Sequence, residues 1–331
     1  MSNKDTVLVT GGAGYIGSHT VKQLLSKNYE VIVYDNLVSG HKEFVISEKF
    51  VKGDIGDRRK LKSTFRKHEP DAIMHFAAHC RVGESVRDPA KYYENNVVKG
   101  LTLLNAARDF GIEKFIFSSS AAIYGDPESV PIKEEAPKNP KNPYGRTKWI
   151  FEQILEDYAA AYPLSVCSLR YFNAAGTDPE GELGEIHDPE THLIPVVLEA
   201  ATGEREYMEI FGTDYDTPDG TPIRDFIHVN DLAAAHIAAL ENMDDKNKGT
   251  AAYNLGTGEG HSVREVIETC KDVTEIDIPV REGERRPGDP PELVADPAKG
   301  YNELDWEPEI KDLTPIVETS WNWIKRRYDL N

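Results

Sequence analysis

Short apolar runs alternate with longer segments of helical periodicity through the first half of the chain. The apolar runs are continuous rather than alternating with polar residues, as in parallel strands that are buried on both faces. They cover residues 7–9, 31–34, 50–51, 72–76, 115–117 and 166–169. The helical segments between them lie near residues 15–28, 58–68, 89–110 and 143–162. This order predicts an α/β fold with a doubly wound parallel sheet of the Rossmann type.

The alternation breaks at Asn173, where a loop-rich stretch with many Asp, Glu, Gly and Pro residues begins. Later helical patterns lie near 193–202, 230–242, 262–272 and 311–328, and strand patterns lie near 208–211, 251–255 and 278–281. We therefore predict a first domain over 1–172 and a smaller C-terminal α/β lobe mainly over 173–331. The segments near 224–256 fit either part, so they belong either to the C-terminal lobe or to the first domain.

Composition narrows the possible partners. The formal net charge of −19 gives nucleic acid no basic surface to bind. No apolar run is long enough to span a membrane, and the first residues lack the apolar region of a signal peptide. Cys80, Cys167 and Cys270 are odd in number and far apart, so they predict neither a disulfide framework nor a metal site. We expect a cytoplasmic protein with no metal, no membrane partner and no nucleic-acid partner.

A glycine-rich turn follows the first predicted strand. Gly11, Gly14 and Gly17 lie between that strand and a helix, where glycines let the backbone approach a pyrophosphate at the helix N-terminus. Asp35 ends the next strand, where a carboxylate accepts hydrogen bonds from an adenosine ribose. A 2′-phosphate would be repelled by Asp35, so the pattern favours NAD over NADP. Asp54 follows the third strand and is either a contact to the adenine or an ordinary turn residue.

A tyrosine and a lysine are spaced for redox chemistry. Tyr144 and Lys148 are four residues apart, so on a helix they share a face, and the ammonium favours the phenolate form of the tyrosine. Asn142 and Pro143 just before them predict a helix start. Ser120 ends a predicted parallel strand, at the edge where such sheets bind ligands. The pattern indicates proton transfer coupled to a nicotinamide cofactor.

Several longer motifs connect these features. They are Gly11–Thr20, Asp35-Asn36-Leu37, Gly53-Asp54-Ile55, His75-Phe76-Ala77, Tyr92–Asn96, Ser118–Gly125, Asn142–Lys148, Leu169–Asn173, Arg224–Val229, Tyr253–Gly256 and Arg286–Asp289. Through them the chain resembles the extended short-chain dehydrogenase/reductase family over nearly its whole length, and within it the enzymes that act on nucleotide sugars. The resemblance implies an NAD-binding first domain and a nucleotide-sugar lobe.

The resemblance also implies a reaction. It is the interconversion of UDP-glucose and UDP-galactose, in which bound NAD oxidises C4, the 4-keto sugar rotates and hydride returns to the other face. Tyr144 is then the base, Ser120 bonds the reacting hydroxyl and Lys148 also holds the nicotinamide ribose. By the same resemblance the protein is a homodimer, joined through the helices near 91–110 and 148–162.

The remaining site residues follow from the resemblance, position by position. The implied cofactor contacts are Gly11, Gly14, Tyr15, Ile16, Gly17, Asp35, Asn36, Asp54, Ile55, Phe76, Ala77, Asn95, Ser118, Tyr144, Lys148 and Phe172. The implied substrate contacts are Ser120, Asn173, His192, Leu193, Phe211, Arg224, Arg286, Asp289 and Leu293.

Three positions depart from the family pattern. Cys80, with Arg81 beside it, stands where many members carry a lysine near the pyrophosphate, and His192 stands at a uridine-pocket position often occupied by Asn. The intermediate size of Leu293 leaves the acceptance of N-acetylated sugars open.

Other functions stay possible at this stage. A related NAD-dependent enzyme would epimerise UDP-N-acetylhexosamines or UDP-uronic acids, or act as a 4,6-dehydratase or decarboxylase. Dehydratases usually carry Thr-Asp-Glu where this chain has Ser120-Ala121-Ala122. A non-catalytic NAD sensor would typically lose the Tyr144/Lys148 pair, which is intact here.

Overall fold

The structure is a computed structural model that describes residues 5–243, 249–286 and 288–330. In these ranges the strands are β1 (Thr6–Thr10), β2 (Glu30–Asp35), β3 (Lys49–Lys52), β4 (Ala72–His75), β5 (Lys114–Ser118), β6 (Ser165–Tyr171), β7 (Asn173–Ala175), β8 (Met208–Phe211), β9 (Ile223–Arg224), β10 (Phe226–His228), β11 (Thr250–Leu255), β12 (His261–Ser262), β13 (Val280–Gly283) and β14 (Glu292–Leu293).

The helices alternate with the strands of the first half. They are α1 (Tyr15–Ser26), α2 (Arg58–His68), α3 (Val82–Arg87), α4 (Pro89–Tyr92), α5 (Gly100–Asp109), α6 (Pro143–Ala161), α7 (Leu193–Thr202), α8 (Val229–Glu241), α9 (Val263–Thr274), α10 (Ala298–Leu304) and α11 (Leu313–Arg327). A π-helical segment, Tyr93–Lys99, joins α4 to α5. No helix in the described parts of the chain is both long and apolar enough to cross a membrane.

The central sheet is parallel and has the predicted Rossmann-type architecture. Among the described residues it holds seven strands in the order β11-β6-β5-β4-β1-β2-β3. The chain builds outward from β1 in one direction through β2 and β3, then returns to place β4 on the other side of β1. The carboxyl ends of β1 and β4 therefore border the crevice where doubly wound sheets bind ligands.

Each face of the sheet is covered by helices. One face packs against α1 and α8, in a core that includes Val9, Leu24 and Leu232. The other face packs against α2, α5 and α6, in a core that includes Phe65, Leu103 and Phe151. Because both faces are buried, the strands are the continuous apolar runs seen in the sequence.

The second half of the chain contributes to both parts of the molecule. Strand β11 pairs with β6 in the central sheet, and α8 packs on its face. A separate core forms where α7, α9 and α11 meet beside β8 and β13. The division of the chain at residue 172 stays a prediction.

Two of the predicted elements differ in the structure from what the sequence pattern indicates. The helix predicted over 89–110 contains the π-helical segment, whose Asn96 side chain bonds to the backbone of His79 and to Thr147 on α6. These long-range bonds are invisible to local periodicity. The strand predicted near 278–281 is shifted to Val280–Gly283, because Pro279 has no backbone N–H to donate within a ladder.

Candidate active site

The glycine turn brings β1 into close contact with α1. A Cβ atom on Gly17 would lie 2.2 Å from the carbonyl oxygen of Gly11, so no larger residue fits there. Helix α1 starts after Gly14, which caps it without a side-chain hydrogen bond. The first N–H groups of α1 are therefore available to an anion, and the helix dipole favours one there. This geometry fits the pyrophosphate of a dinucleotide.

Asp35 lies at the end of β2, next to this turn. Its side chain is buried and accepts hydrogen bonds from the backbone N–H groups of Ala13, at 3.0 Å, and Leu37, at 2.8 Å. Burial raises the pKa of Asp35, and the two backbone donors oppose that rise. A carboxylate has lone pairs for further donors. Asp35 thus both holds the glycine turn in place and fits a ribose diol.

Asp54 is held by three donors. Asn36 Nδ2 lies 3.1 Å and Lys99 Nζ 2.8 Å from its Oδ2, and the N–H of Gly56 donates to its Oδ1. Burial opposes ionisation, but these donors outweigh it and hold the pKa of Asp54 below its ordinary value. Its neighbour Ile55 is buried in the core of that face. The structure therefore gives Asp54 a structural role in the turn beside the predicted adenine position.

Tyr144 and Lys148 lie on the first turns of α6, at the carboxyl end of β5. The helix start is as predicted, because Asn142 Oδ1 accepts a hydrogen bond from the N–H of Gly145. Lys148 Nζ donates to the carbonyl oxygen of Ser118 at 2.6 Å and lies 5.8 Å from the centre of the Tyr144 ring. Both side chains are buried. Ser118 Oγ in turn bonds to the hydroxyl of Tyr171.

Ser120 begins a short turn that packs against the start of α6. Its Oγ accepts a hydrogen bond from the N–H of Ala122 at 3.2 Å, which fixes the turn Ala121–Ile123. A Cβ atom on Gly145 would lie 2.4 Å from the carbonyl oxygen of Ala122. The lack of a side chain at Gly145 therefore lets the Ser120 turn and the Tyr144 helix approach each other.

The electrostatics of the pair differ from the sequence expectation. Burial raises the pKa of Tyr144 well above its ordinary value, and Ser120 only partly opposes that rise. Burial also lowers the pKa of Lys148, to about 8. Lys148 therefore does not hold the pKa of Tyr144 below its ordinary value, and a further positive charge beside the phenol would favour the phenolate.

A buried polar network joins α6, the helix that carries Tyr144, to β6. The guanidinium of Arg170 on β6 contacts Glu152 on α6, with Nη2 2.6 Å from Oε2 and Nε 3.1 Å from Oε1. Ser119 Oγ donates to the same carboxylate. Arg170 also donates to the hydroxyl of Tyr124, which donates to Asn254 at 2.6 Å. Sequence reasoning gave these residues no role, although a charged residue inside an apolar strand marks such a network.

The predicted cofactor contact Asn95 lies beside a residue that the sequence left unassigned. Asn95 Nδ2 donates to Asn96 Oδ1 at 3.1 Å. Asn96 is buried and bonds to the loop at His79 and to Thr147 on α6. It therefore positions both the π-helical segment and the helix that carries Tyr144.

The remaining predicted cofactor residues lie at the same edge of the sheet. The N–H of Phe76 donates to the carbonyl oxygen of Thr10, which brings Phe76 and Ala77 beside the glycine turn. Ile16 packs partly buried on the core beneath α1. The phenol of Tyr15 donates to the carbonyl oxygen of Gly176 at 2.5 Å. Tyr15 is thus directed toward the C-terminal lobe rather than across the turn.

The predicted substrate residues Arg224 and Asp289 contact each other. Nη2 of Arg224 lies 2.5 Å from Oδ1 of Asp289 and 2.9 Å from the carbonyl oxygen of Pro290. The neighbouring residue Asp225 is fully buried and accepts hydrogen bonds from the backbone N–H groups of Thr257, Gly258 and Ala295. Among the described residues, the carboxylate that Arg224 contacts is therefore that of Asp289.

Arg286 lies close to this pair. Its guanidinium lies 3.8 Å from the centre of the Phe211 ring, an arrangement that favours a cation over the ring face. The motif residue Pro287 lies outside the described residues. Arg224, Arg286, Asp289 and Phe211 thus form one cationic and aromatic corner, in which Asp289 orients Arg224.

Leu293 connects this corner to the turn that follows Ser120. It is the register partner of Arg224 between β14 and β9. Together with Phe172 it packs partly buried against Ala121 and Tyr124, which follow Ser120. Asn173, the next residue after Phe172, donates its N–H to the carbonyl oxygen of Asp225. The two lobes therefore meet at the predicted reaction site.

His192 and Leu193 lie at the start of α7. His192 is the N-cap residue, its side chain is partly exposed, and its Nδ1 contacts Oε1 of the buried Glu185. Leu193 is the first residue of the helix and packs partly buried on the core of the C-terminal lobe. The predicted uridine contact at His192 is thus anchored by a carboxylate that the sequence analysis did not consider.

The fold and this site are those of a Rossmann-type protein that binds a dinucleotide. A family described as "NAD dependent epimerase/dehydratase family" matches residues 7–256, and the chain belongs to this family. A protein of Rhizobium meliloti named "UDP-glucose 4-epimerase" is 52% identical over 98% of both chains.

Two solved structures are similar over nearly the whole chain. UDP-glucose 4-epimerase from Brucella ovis, in complex with NAD, superposes with a TM-score of 0.94 and is 51% identical, covering 96% of this chain and 98% of its own. The enzyme from Bifidobacterium longum, in complex with NAD+ and UDP, superposes with a TM-score of 0.93 and is 40% identical, covering 98% of this chain and 100% of its own.

Proposed function

We propose that this chain is an NAD-dependent isomerase that interconverts UDP-glucose and UDP-galactose by reversible oxidation at C4 of the sugar. The observation that carries the proposal is that Tyr144, Lys148 and Ser120 lie at the carboxyl end of β5, on the same edge of the parallel sheet as the glycine turn that follows β1. The relatives named UDP-glucose 4-epimerase support the choice of substrate.

The protein residues have separate tasks in this reaction. Bound at the glycine turn and Asp35, NAD⁺ would supply a hydride acceptor for C4 and, once reduced, the hydride donor for the opposite face of the sugar. Tyr144 takes the proton of the C4 hydroxyl and gives it back, while Ser120 bonds that hydroxyl. Lys148, held by the carbonyl oxygen of Ser118, keeps a cation close to the phenol.

The nucleotide must stay fixed while the sugar turns. Arg224 and Arg286 suit the diphosphate because a guanidinium donates hydrogen bonds in pairs. The contact between Asp289 and Arg224 holds one of these groups in a defined orientation. We place no comparable anchor on the sugar, because the 4-keto form has to present both faces.

The test is incubation of the purified protein with UDP-galactose that carries deuterium at C4, without added dinucleotide. We expect UDP-glucose as the product, with the deuterium retained at C4. If product forms only when NAD⁺ is added, the reaction stands and the cofactor is weakly retained, as Cys80 suggests. Loss of the deuterium to solvent, or the lack of product with NAD⁺ present, would refute the proposal.

We further propose that the protein is a cytoplasmic homodimer joined through the π-helical segment, α5 and α6. The unpaired state of Cys80, Cys167 and Cys270 fits a reducing compartment. On the dimer face the side chain of Val98 is 52% exposed, which is unfavourable for a large apolar group in water.

The dimer has a direct test. We expect light scattering to give twice the chain mass, and Val98→Glu to shift the protein toward the monomer, because it buries a charge in the interface. Val38→Glu is the matched control, since Val38 is 72% exposed and belongs to the loop after β2 rather than to these helices. A monomeric wild type at working concentration would contradict the prediction.

A further inference from the structure

The segment before α7 brings together imidazole and carboxylate groups. Glu185, His187, Glu190 and His192 each offer one ligand atom, and these atoms all lie within 4.8 Å of one another. Nδ1 of His187 lies 3.2 Å from Oε1 of Glu185 and 3.4 Å from Oε2 of Glu190. Nδ1 of His192 contacts the same Oε1 of Glu185. We call this set the loop cluster.

Two of the separations in the loop cluster match those of ligands around a small metal ion. In a tetrahedral zinc site with bonds of about 2.0–2.1 Å, neighbouring ligand atoms are about 3.3 Å apart. The distances of 3.2 and 3.4 Å at His187 have this length. Nδ1 of His187 is also buried and has no hydrogen-bond partner among the described residues. It therefore faces the two carboxylate oxygens at ion-pair distance but without the geometry of a hydrogen bond.

The burial of the two carboxylates also favours a cation at the loop cluster. Glu185 is 4% exposed and Glu190 is 8% exposed. Two buried negative charges side by side are costly unless a cation neutralises them, so this pair requires either protonated imidazoles at His187 and His192 or a bound ion. A mixed set of imidazole and carboxylate ligands suits zinc and its neighbours in the first transition row better than magnesium or calcium.

We propose that the loop cluster binds one divalent transition-metal ion of the zinc class, as a structural site closed by four protein ligands. All four ligands come from the short stretch between Glu185 and His192. A bound ion therefore closes a small loop locally, rather than linking distant parts of the chain. This proposal goes beyond the epimerase function, which does not require it.

A nearby group of carboxylates lacks the features of the loop cluster. Asp178, Glu180 and Glu182 also converge, and we call them the acidic trio. Nζ of Lys22 lies 2.9, 2.6 and 3.0 Å from these three carboxylates. The ammonium group already supplies the cation there, and the side chains of Glu180 and Glu182 are mostly exposed. The acidic trio therefore serves as a matched control.

The loop cluster lies between two predicted binding regions. The ring of His187 is 6.4 Å, centre to centre, from the ring of Tyr15 on the first turn of α1. His192 is the N-cap residue of α7 and the predicted uridine contact. The backbone of Glu185 accepts a hydrogen bond from Trp323 Nε1 on α11. A bound ion would fix the segment that spans these elements.

The first test uses the complete wild-type protein. It is stripped with EDTA, loaded with Zn²⁺ or Co²⁺ and desalted. We expect about one zinc ion per chain by elemental analysis, and the intense visible absorption of tetrahedral Co²⁺. Zn²⁺ should also raise the thermal midpoint, because it binds the folded state. Zinc far below one per chain, or the weak absorption of octahedral Co²⁺, would overturn the proposal.

The second test uses matched variants. His187→Gln with Glu190→Gln should weaken Zn²⁺ binding by at least about tenfold, as expected when ligands are removed. Glu180→Gln with Glu182→Gln removes two carboxylates from the acidic trio and should leave Zn²⁺ binding unchanged. Equal losses in both double variants would contradict the assignment to the loop cluster. If the first variant fails to fold, the wild-type Co²⁺ spectrum decides.

Epimerisation by the stripped wild type separates the two proposals. If the stripped enzyme is active but takes up no zinc, the metal-site proposal is refuted and the proposed function is supported. If the protein is inactive but still takes up about one zinc ion and gives a tetrahedral Co²⁺ spectrum, the metal-site proposal is supported and the proposed function is refuted.

Discussion

Tyr144 is the residue on which the proposed chemistry depends most directly. Burial favours its neutral form, Ser120 opposes this effect only in part, and burial also lowers the pKa of the neighbouring Lys148 to about 8. The proton acceptor is thus formed only when further positive charge lies beside the phenol. We therefore expect Tyr144 to lose its proton only when the cofactor site is occupied.

The first prediction removes the phenol oxygen. Tyr144→Phe should lower kcat by about 10²–10⁴-fold, the usual contribution of a general base, while NAD binding changes little. Steady-state kinetics and NAD titration measure the two effects. Tyr158→Phe is the control on the same helix, because its hydroxyl bonds only to Asn105 among the described residues. Near-normal turnover of Tyr144→Phe would remove Tyr144 from the mechanism.

The second prediction concerns cofactor choice. Asp35→Ala should raise the affinity for NADP relative to NAD by at least about tenfold, because the carboxylate no longer repels a 2′-phosphate. The variant should also be less stable, since Asp35 accepts hydrogen bonds from Ala13 and Leu37. The ratio of the two dissociation constants separates these effects. An unchanged ratio would show that Asp35 does not face the ribose.

At the level of single elements, sequence and structure agree best where the signals are local. The start of α6 at Pro143 and its Asn142 cap are readable from adjacent residues, and so are the glycines before α1. The π-helical segment is not, because it depends on Asn96 reaching Thr147 on another helix. Short strands such as β9 and β14 are defined mainly by their pairing partners and leave little periodicity.

The element-scale prediction concerns the pair that joins β6 to α6. Removing one partner of a buried ion pair leaves an uncompensated charge, so Arg170→Met should cost about 3–5 kcal/mol of stability. Adding Glu152→Leu should recover part of that loss, because well-packed apolar residues replace such pairs at little cost. Urea unfolding of both single variants and the double variant measures the coupling.

An exposed pair supplies the control for that cycle. Arg281 and Glu206 are 3.0 Å apart, but their side chains are 58% and 79% exposed. Glu206→Gln should leave the unfolding midpoint unchanged, because solvent screens such a pair and Arg281 keeps its contact with the Tyr207 ring. Strictly additive losses at Arg170 and Glu152 would mean that the buried pair is not coupled.

At the level of the whole molecule, the site is assembled from distant parts of the chain. Arg224 and Asp289 are 65 residues apart in sequence, and Tyr124 and Asn254 are 130 apart. Spacing alone does not reveal such pairs. The substrate contacts Phe211, Arg224 and Asp289 were therefore predicted only from the family resemblance, and the structure shows that they belong to one cationic and aromatic corner. The loop cluster shows the opposite case, because its ligands are close in sequence and were missed when only cysteine spacing was considered.

The whole-molecule prediction concerns acid sensitivity. Burial lowers the pKa of His75 to about 3 and the pKa values of His19, His228 and His236 to about 4. In the unfolded chain these imidazoles have pKa values of about 6.5. Between pH 6.5 and the folded values the unfolded state binds more protons, so stability falls as pH decreases through this window.

His236 isolates one of these contributions. From pH 7 to pH 5.5 each such histidine should remove about 1 kcal/mol of unfolding free energy, because only the unfolded state becomes charged. Other groups titrate in the same window, so the informative quantity is the difference between the wild type and His236→Leu. The variant lacks the imidazole, and its stability should fall by about 1 kcal/mol less over this range in urea titrations. An identical pH dependence in both proteins would mean that His236 takes up its proton without unfolding, which its full burial and apolar surroundings oppose.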